Sequence, residues 1–164
     1  MRQKGFTLIE LLIVIALLGA LAVGLIGAID PFEQLKKGTD TGTRDLVSQV
    51  QTAVIRYYSI KNAFPWTTDP SSEALNGTNM STAISNLISA GELKSTFNEL
   101  NANNLTKVWT TGDSINNTVV VCYKPTAKSF QSDPNTKYKI DGTAETGCKG
   151  ETPPGTKDCY WCVQ

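Results

Sequence analysis

One carboxylate stands inside a long apolar run near the start of the chain. From Leu11 to Ile29 no side chain is charged, whereas Glu10 directly precedes this run. At about 1.5 Å per residue, a helix over the run is about 28 Å long, close to the ~30 Å hydrocarbon core of a bilayer. An ionised carboxylate in a membrane costs about 3 kcal/mol or more, so such residues usually have a partner and a role. Glu10 is therefore a candidate functional residue.

Four cysteines form the second set of reactive side chains, and all lie in the last third of the chain: Cys122, Cys148, Cys159 and Cys162. An even number of cysteines behind a membrane segment indicates disulfides and an oxidising compartment. The alternative is a four-thiolate zinc site, because Cys159 and Cys162 have C-x2-C spacing. The other two cysteines lack that spacing. We therefore favour disulfides.

Three disulfide pairings remain open. In an extended strand, Cys159 and Cys162 point to opposite faces, which disfavours a bond between them. The stretch Pro153-Pro154-Gly155 bends the chain between Cys148 and Cys159. Cys122 lies in the clearest strand pattern and can meet Cys162 if the terminal strand pairs beside it. We prefer Cys148–Cys159 with Cys122–Cys162, and the alternative is Cys122–Cys148 with Cys159–Cys162.

The composition argues against an enzyme. The chain has 164 residues, with 15 basic and 15 acidic side chains and no histidine. A balanced charge disfavours a general nucleic-acid binder, and the lack of histidine removes the commonest acid–base group and metal ligand at neutral pH. No nucleophile–base or metal constellation is recognisable. The length fits one membrane helix and one soluble domain of about 130 residues.

The first residues carry a specific motif. Lys4-Gly5-Phe6-Thr7-Leu8-Ile9-Glu10, followed by Leu11-Leu12-Ile13-Val14-Ile15-Ala16, resembles the class III signal of type IV pilins and type II secretion pseudopilins. A basic leader ends in Gly5, an aromatic residue follows, and a Glu stands at the fifth position of the mature chain. A cleaved secretory signal and a plain signal anchor are the alternatives, but neither explains Gly5-Phe6 or Glu10.

The resemblance implies how the chain is processed and assembled. A prepilin peptidase would cut between Gly5 and Phe6 and N-methylate Phe6. In a filament, Glu10 would dock on the terminal amine of Phe6 in a neighbouring subunit and so fix the axial register, a known use of buried charge. The implied partners are copies of the chain itself, the peptidase, a membrane assembly platform protein and a cytoplasmic motor ATPase. The implied location is the prokaryotic cytoplasmic membrane with the C-terminal domain outside, then an extracellular pilus or a periplasmic pseudopilus.

The predicted organisation has four parts: a leader over 1–5, a transmembrane and filament-core helix over 6–30, an amphipathic continuation over 31–64, and a globular head over 65–164. Three glycines weaken the apolar helix, and a break is expected between Gly24 and Pro31. A second interruption is expected at Gly38 to Thr43, where glycines and cap-type residues cluster, with a fresh helix start near Thr43.

The patterning predicts an α+β fold in which a long N-terminal helix packs on a small antiparallel sheet, as in pilins. One face of the amphipathic helix is apolar: Leu46, Val47, Val50, Val54, Tyr57 and Tyr58. A short helix is predicted over Ser81 to Ala90, with Gly91 as its stop. The predicted strands are Lys107 to Thr111, Thr118 to Tyr123, Lys137 to Ile140 and Tyr160 to Val163.

Two further kinds of site receive less support. No cofactor is expected, although some pseudopilins hold calcium in the C-terminal loop region, where Asp133, Asp141 and Glu145 supply oxygen ligands. Trp109, Tyr160 and Trp161 would stack on DNA or a surface ligand if they were exposed. Core burial is the preferred interpretation of these aromatic residues.

The sequence thus predicts a non-enzymatic subunit that polymerises into a type IV pilus for adhesion, motility or DNA uptake. The alternatives within the same family are the major pseudopilin of a type II secretion system and a minor pilin. An alternative from a different class is a membrane-anchored extracytoplasmic binding domain.

Overall fold

The computed structural model describes residues 5–28 and 30–164. The chain divides into two compact units, Met1–Leu35 and Lys36–Gln164. Residues 1–4 of the predicted leader, with the basic side chains Arg2 and Lys4, lie outside the described residues. The predicted boundaries of leader, helix and head therefore stay predictions.

The first unit contains an apolar helix and the start of a second one. Helix α1 spans Leu8–Ala28, and every described side chain from residue 5 to residue 27 is exposed. Helix α2 begins at Pro31. The Asp30 carboxylate accepts hydrogen bonds from the N–H groups of Phe32, at 3.1 Å, and Glu33, at 3.2 Å. Asp30 caps α2, with proline at the first helical position, so the helix boundary falls inside the predicted window.

Helix α2 runs without interruption over Pro31–Lys61. The predicted break at Gly38 to Thr43 is therefore wrong. The cap-type residues there serve other purposes: Asp40 is 2% exposed and contacts the head, while the hydroxyls of Thr41 and Thr43 donate to carbonyls one turn earlier. Two glycines cost only about 1 kcal/mol each, which these contacts and the packing of the helix offset.

The head holds a five-stranded antiparallel sheet. Its strands are β1 Glu73–Ala74, β2 Val108–Asp113, β3 Thr118–Tyr123, β4 Thr136–Tyr138 and β5 Tyr160–Val163. The strand order is β1-β2-β3-β5-β4. Three short helices complete the unit: α3 Thr78–Ser89, α4 Phe97–Leu100 and α5 Lys128–Gln131. β3 and β5 have the predicted bounds, and β2 and β4 lie within two residues of theirs at each end.

The core lies between α2, α3 and the inner face of the sheet. Alternate residues of β3 point inward, as the period of a half-buried strand requires. The buried apolar side chains include Leu46, Val47, Val50, Val54, Met80, Ile84, Leu87, Val108, Val121 and Tyr123. Gly91 stops α3 in the left-handed region, at φ +78°, and its N–H bonds to the Ile88 carbonyl. The predicted apolar helix face and helix stop are both confirmed.

Candidate functional site

The N-terminus of α1 is closed by two polar side chains. The Thr7 backbone N–H and the Thr7 hydroxyl both donate to Oε2 of Glu10, at 2.8 and 2.7 Å. In return, the Glu10 N–H donates to the Thr7 hydroxyl at 3.3 Å. This reciprocal pair is a capping box, which satisfies N–H groups that a helix start leaves without intrahelical partners.

The capping box leaves one side of the carboxylate open. Both Thr7 donors reach Oε2, and no hydrogen bond to Oε1 occurs within the described part of the chain. Glu10 is the one charged side chain of α1, and Phe6, just before Thr7, is 83% exposed. An exposed apolar helix therefore presents a single carboxylate near its N-terminal end, where it can accept a hydrogen bond from an ammonium group.

Helix α1 has the dimensions of a membrane span. Residues Leu8–Gly27 are long and apolar enough to cross a bilayer, and none of this stretch is buried in the structure. A signal sequence near an N-terminus has the same length and composition. The apolar helix fits membrane anchoring.

In the head, α2 is fixed to the segment after β3 by a buried carboxylate. Asp40 accepts hydrogen bonds from the N–H of Thr126 at 2.8 Å, the hydroxyl of Thr126 at 2.9 Å and the N–H of Ala127 at 2.7 Å. A buried carboxylate is stable only with such partners. Asp40 therefore has a structural role.

One turn later, Arg44 makes a second connection from α2. Its guanidinium carbon lies 4.4 Å from the ring centroid of Phe130 and 4.6 Å from that of Trp161. It also pairs with Asp133 at 3.2 Å and donates to the Tyr123 hydroxyl at 3.4 Å. Burial raises the pKa of Tyr123, against the opposing effect of Arg44. Arg44 thus joins α2 to β3 through a hydrogen bond to Tyr123 and to β5 through a cation–π contact with Trp161.

The cysteines form two disulfides, Cys122–Cys162 and Cys148–Cys159. This is the pairing preferred from the sequence. Cys122 lies directly opposite Cys162 in the antiparallel register of β3 and β5, so the first bond joins the terminal strand to the centre of the sheet. The second bond closes the loop that contains Pro153 and Pro154. No cysteine is free.

Each carboxylate considered for calcium has a partner within the protein. Asp133 pairs with Arg44, and the hydroxyl and N–H of Thr143 lower the pKa of Asp141. Lys157 pairs with Glu145 at 2.7 Å and lowers its pKa. Residues 5–28 and 30–164 contain no cluster of three or more His, Cys, Asp or Glu side chains that could hold a metal ion. The expectation that no cofactor is bound, with calcium in this region as the minor alternative, stays a prediction.

The aromatic residues divide between the two faces of the sheet. Trp161 packs against the core and lies 5.8 Å from Tyr123, between ring centroids. Trp109 and Tyr160 are half-buried and meet edge to face at 5.6 Å. Packing accounts for these contacts, and a role in binding DNA or a surface ligand has no support from them.

The N-terminal residues match a known protein-family model. Residues 1–26 match the family model described as the prokaryotic N-terminal methylation motif. This motif is the class III signal peptide of type IV pilins and pseudopilins, as the sequence predicted. Neither the curated proteins nor the solved structures compared with the chain gave a match.

The N-terminal motif and the overall fold indicate the same class of protein. The chain combines a long N-terminal apolar helix with a small antiparallel sheet, an α+β, pilin-like architecture. The motif supports a type IV pilin-like or pseudopilin subunit, and it marks a family of structural subunits. It is also consistent with processing by a prepilin peptidase.

Three of the residues described above have roles that the sequence predictions do not contain. Thr7 belongs to the quoted motif, and Thr7-Leu8-Ile9-Glu10 has the T-x-x-E pattern of a capping box, so its pairing with Glu10 could have been predicted. For Asp40, the surrounding sequence pattern predicts a helix break instead of a contact with the head. No local pattern distinguishes Arg44, because its partners Trp161 and Asp133 come from distant parts of the chain.

Proposed function

We propose that this chain is a structural subunit that polymerises into a type IV pilus after cleavage between Gly5 and Phe6 and methylation of the Phe6 amine. The observation that carries the proposal is the methylation motif on a fully exposed apolar helix whose one charge is Glu10. A helix of this kind needs an apolar environment, which the membrane supplies before assembly and the helices of other subunits supply afterwards.

Glu10 has the role of a docking residue in this proposal. Cleavage creates a positive amine on Phe6, and an ammonium in an apolar filament core needs a negative partner. The open oxygen of Glu10 suits the amine of a neighbouring subunit, while Thr7 keeps the other oxygen hydrogen-bonded. Because each subunit carries one such pair, only one axial register satisfies both charges.

The partners and location follow from the same motif. The peptidase, an assembly platform membrane protein and its motor ATPase would act on the anchored subunit, whose head lies outside the cytoplasmic membrane. A periplasmic pseudopilus uses the same signal, and the motif does not separate the two. The cellular location of the filament therefore tests whether it is an extracellular pilus or a periplasmic pseudopilus.

Intact-mass analysis and imaging of filaments sheared from cells test the proposal. We expect the main filament protein to be this chain, beginning at methylated Phe6. Glu10→Ala should still be processed and inserted in the membrane, whereas filaments should be lost or rare. Asp45→Ala, which removes a carboxylate at an exposed position of α2, serves as the control. A mature chain that retains Met1, or normal filament yield from Glu10→Ala, would contradict the proposal.

A further inference from the structure

The tip of the β2–β3 hairpin carries the most exposed apolar side chain of the head. Ile115 lies in the turn between Asp113 and Thr118 and is 90% exposed. Burying an isoleucine is worth about 1.5–3 kcal/mol. A partner that covers this exposed side chain would gain that free energy. The gain is largest if the turn is already rigid before binding.

The turn is held rigidly by two carboxylates. Asp113 accepts the N–H of Ile115 at 2.9 Å and the N–H and side-chain amide of Asn116 at 3.0 and 2.6 Å. Asp69 accepts the N–H and hydroxyl of Ser114. These hydrogen bonds lower the pKa of both carboxylates, so both stay ionised at neutral pH. The tip therefore presents one apolar side chain beside two negative charges.

A groove elsewhere on the head has the complementary properties. It lies between α2 and the α3–α4 region, with a volume of about 480 Å³. Three of its lining residues are apolar: Leu93, Phe97 and Leu100, the last of which is 75% exposed. Its charged lining residues are Arg56, Glu92 and Lys94.

The charged side chains that line the groove have a net positive charge. Arg56 and Glu92 neutralise each other, with Nε and Oε2 2.7 Å apart. Lys94 is exposed and makes no ion pair within the described residues. The groove thus offers an apolar surface and one uncompensated ammonium to the apolar, doubly negative hairpin tip.

One chain cannot fill its own groove with its own hairpin tip. Arg56 lines the groove, whereas Tyr58 contacts the hairpin, its hydroxyl donating to Asn117 at 2.9 Å. Residues two apart lie about 160° from each other around a helix, so groove and hairpin are on different sides of α2. A contact between two different surfaces repeats from copy to copy instead of closing into a symmetric dimer.

We propose that the hairpin tip around Ile115 of one copy docks in the groove at Leu93, Phe97 and Leu100 of the next copy. This contact rests on the proposed polymerisation, because it joins heads whose helices are already held side by side. Its own affinity need not be high, since subunits assembled through α1 stand at a high effective concentration. Opposite charges at Lys94 and Asp113 favour the docked orientation over others.

Cross-linking of engineered thiols in cells that express the full-length chain tests the contact. The native cysteines are all in disulfides, so a short bis-maleimide reacts only with introduced thiols. Ile115→Cys combined with Leu100→Cys should give a ladder of covalent oligomers. Either single variant should stay monomeric, because the contact joins unlike surfaces. Ile60→Cys with Leu100→Cys is the matched control, since Ile60 is 70% exposed but lies outside the hairpin.

Charge reversal supplies a second measurement on the chain that carries both Ile115→Cys and Leu100→Cys. Lys94→Glu should reduce the cross-linked fraction at least about tenfold by setting like charges opposite each other. Lys137→Glu, at an exposed position of β4, should leave it unchanged.

Five outcomes of the cross-linking experiment bear on the proposed contact. Filaments that give no ladder with this pair of introduced thiols, a ladder of equal strength from the control pair, or dimers of a single variant would overturn the contact. A ladder in cells that lack filaments would contradict the proposed pilus but support the contact between Ile115 and the groove. If neither a ladder nor filaments were found, both proposals would be contradicted.

Discussion

The carboxylate of Asp40 and the backbone N–H of Ala127 are 2.7 Å apart across 87 positions of the chain. The same carboxylate also holds the N–H and hydroxyl of Thr126. This contact fixes the region of α2 that is richest in glycine to the segment that follows β3. It explains why a stretch with the local character of a turn remains helical.

Removing this carboxylate should destabilise the head. Asp40→Ala removes the acceptor of two backbone N–H groups, of which that of Ala127 is buried, and a buried donor left without a partner costs about 1–3 kcal/mol. We expect the free energy of unfolding to fall by about 2–4 kcal/mol, measured by urea denaturation of the full chain in detergent with tryptophan fluorescence as the readout. Asp45→Ala, at an exposed position of the same helix, should change it by less than about 0.5 kcal/mol. Equal effects of the two variants would refute the structural role of Asp40.

Arg44 should not be replaceable by lysine. Its planar guanidinium lies against two aromatic rings and also pairs with Asp133, a combination that a lysine ammonium does not reproduce. We expect Arg44→Lys to lower the free energy of unfolding by about 1–2 kcal/mol. The control is Arg56→Lys, at a half-exposed ion pair, with an expected loss below about 1 kcal/mol. A larger loss at Arg56 than at Arg44 would show that ring stacking contributes nothing.

The strands were predictable because their signal is local. The run Thr118 to Tyr123 is rich in β-branched residues, and both it and Tyr160 to Val163 have the bounds that their composition indicated. β1 consists of two residues, Glu73–Ala74, and exists only because it pairs with Thr110 and Trp109 of β2. No pattern can reveal so short a strand without its partner.

The predicted helix break is wrong because the contact that keeps this stretch helical is not local. Gly38, Asp40 and Gly42 have the local preferences of a turn, and a sequence contains no sign that a distant segment will bind the Asp40 side chain. Thr7 differs from Asp40 in this respect, because its signal is local. The T-x-x-E pattern indicates a capping box even where a membrane-like run follows.

A buried hydroxyl offers a stabilising substitution. Thr110 is fully buried, and its Oγ1 has no hydrogen-bond partner within the described part of the chain. Thr110→Val removes this hydroxyl at nearly constant volume and should stabilise the head by up to about 1 kcal/mol. Thr136→Val is the matched control, because the buried Thr136 hydroxyl donates to the Phe130 carbonyl at 2.8 Å. That change should destabilise by about 1 kcal/mol, and destabilisation by Thr110→Val would show that its hydroxyl is satisfied.

The two disulfides should differ in their contribution to stability. Their cysteines are 40 and 11 positions apart in sequence. In the chain-entropy model, loops of these lengths correspond to about 4 and about 3 kcal/mol. Replacing Cys122 and Cys162 together by Ser should therefore lower the urea midpoint more than replacing Cys148 and Cys159. Non-reducing peptide mapping checks the pairing itself, and a Cys159–Cys162 link, bound zinc or four free thiols would reject it.

The capping box at Thr7 should control how firmly the start of α1 is formed. Thr7→Val keeps the branched shape but removes the hydroxyl that accepts the Glu10 N–H and donates to its carboxylate. Loss of a cap costs about 1 kcal/mol, which corresponds to about a fivefold rise in local opening. Amide hydrogen exchange of the full chain in detergent should therefore be about fivefold faster in the first turn of α1. Thr7→Ser should restore the wild-type rate. Thr41→Val, which removes an exposed hydroxyl from α2 without affecting a cap, should leave the first turn of α1 unchanged. Unaltered exchange in Thr7→Val would mean that Glu10 does not depend on Thr7 in the unassembled subunit.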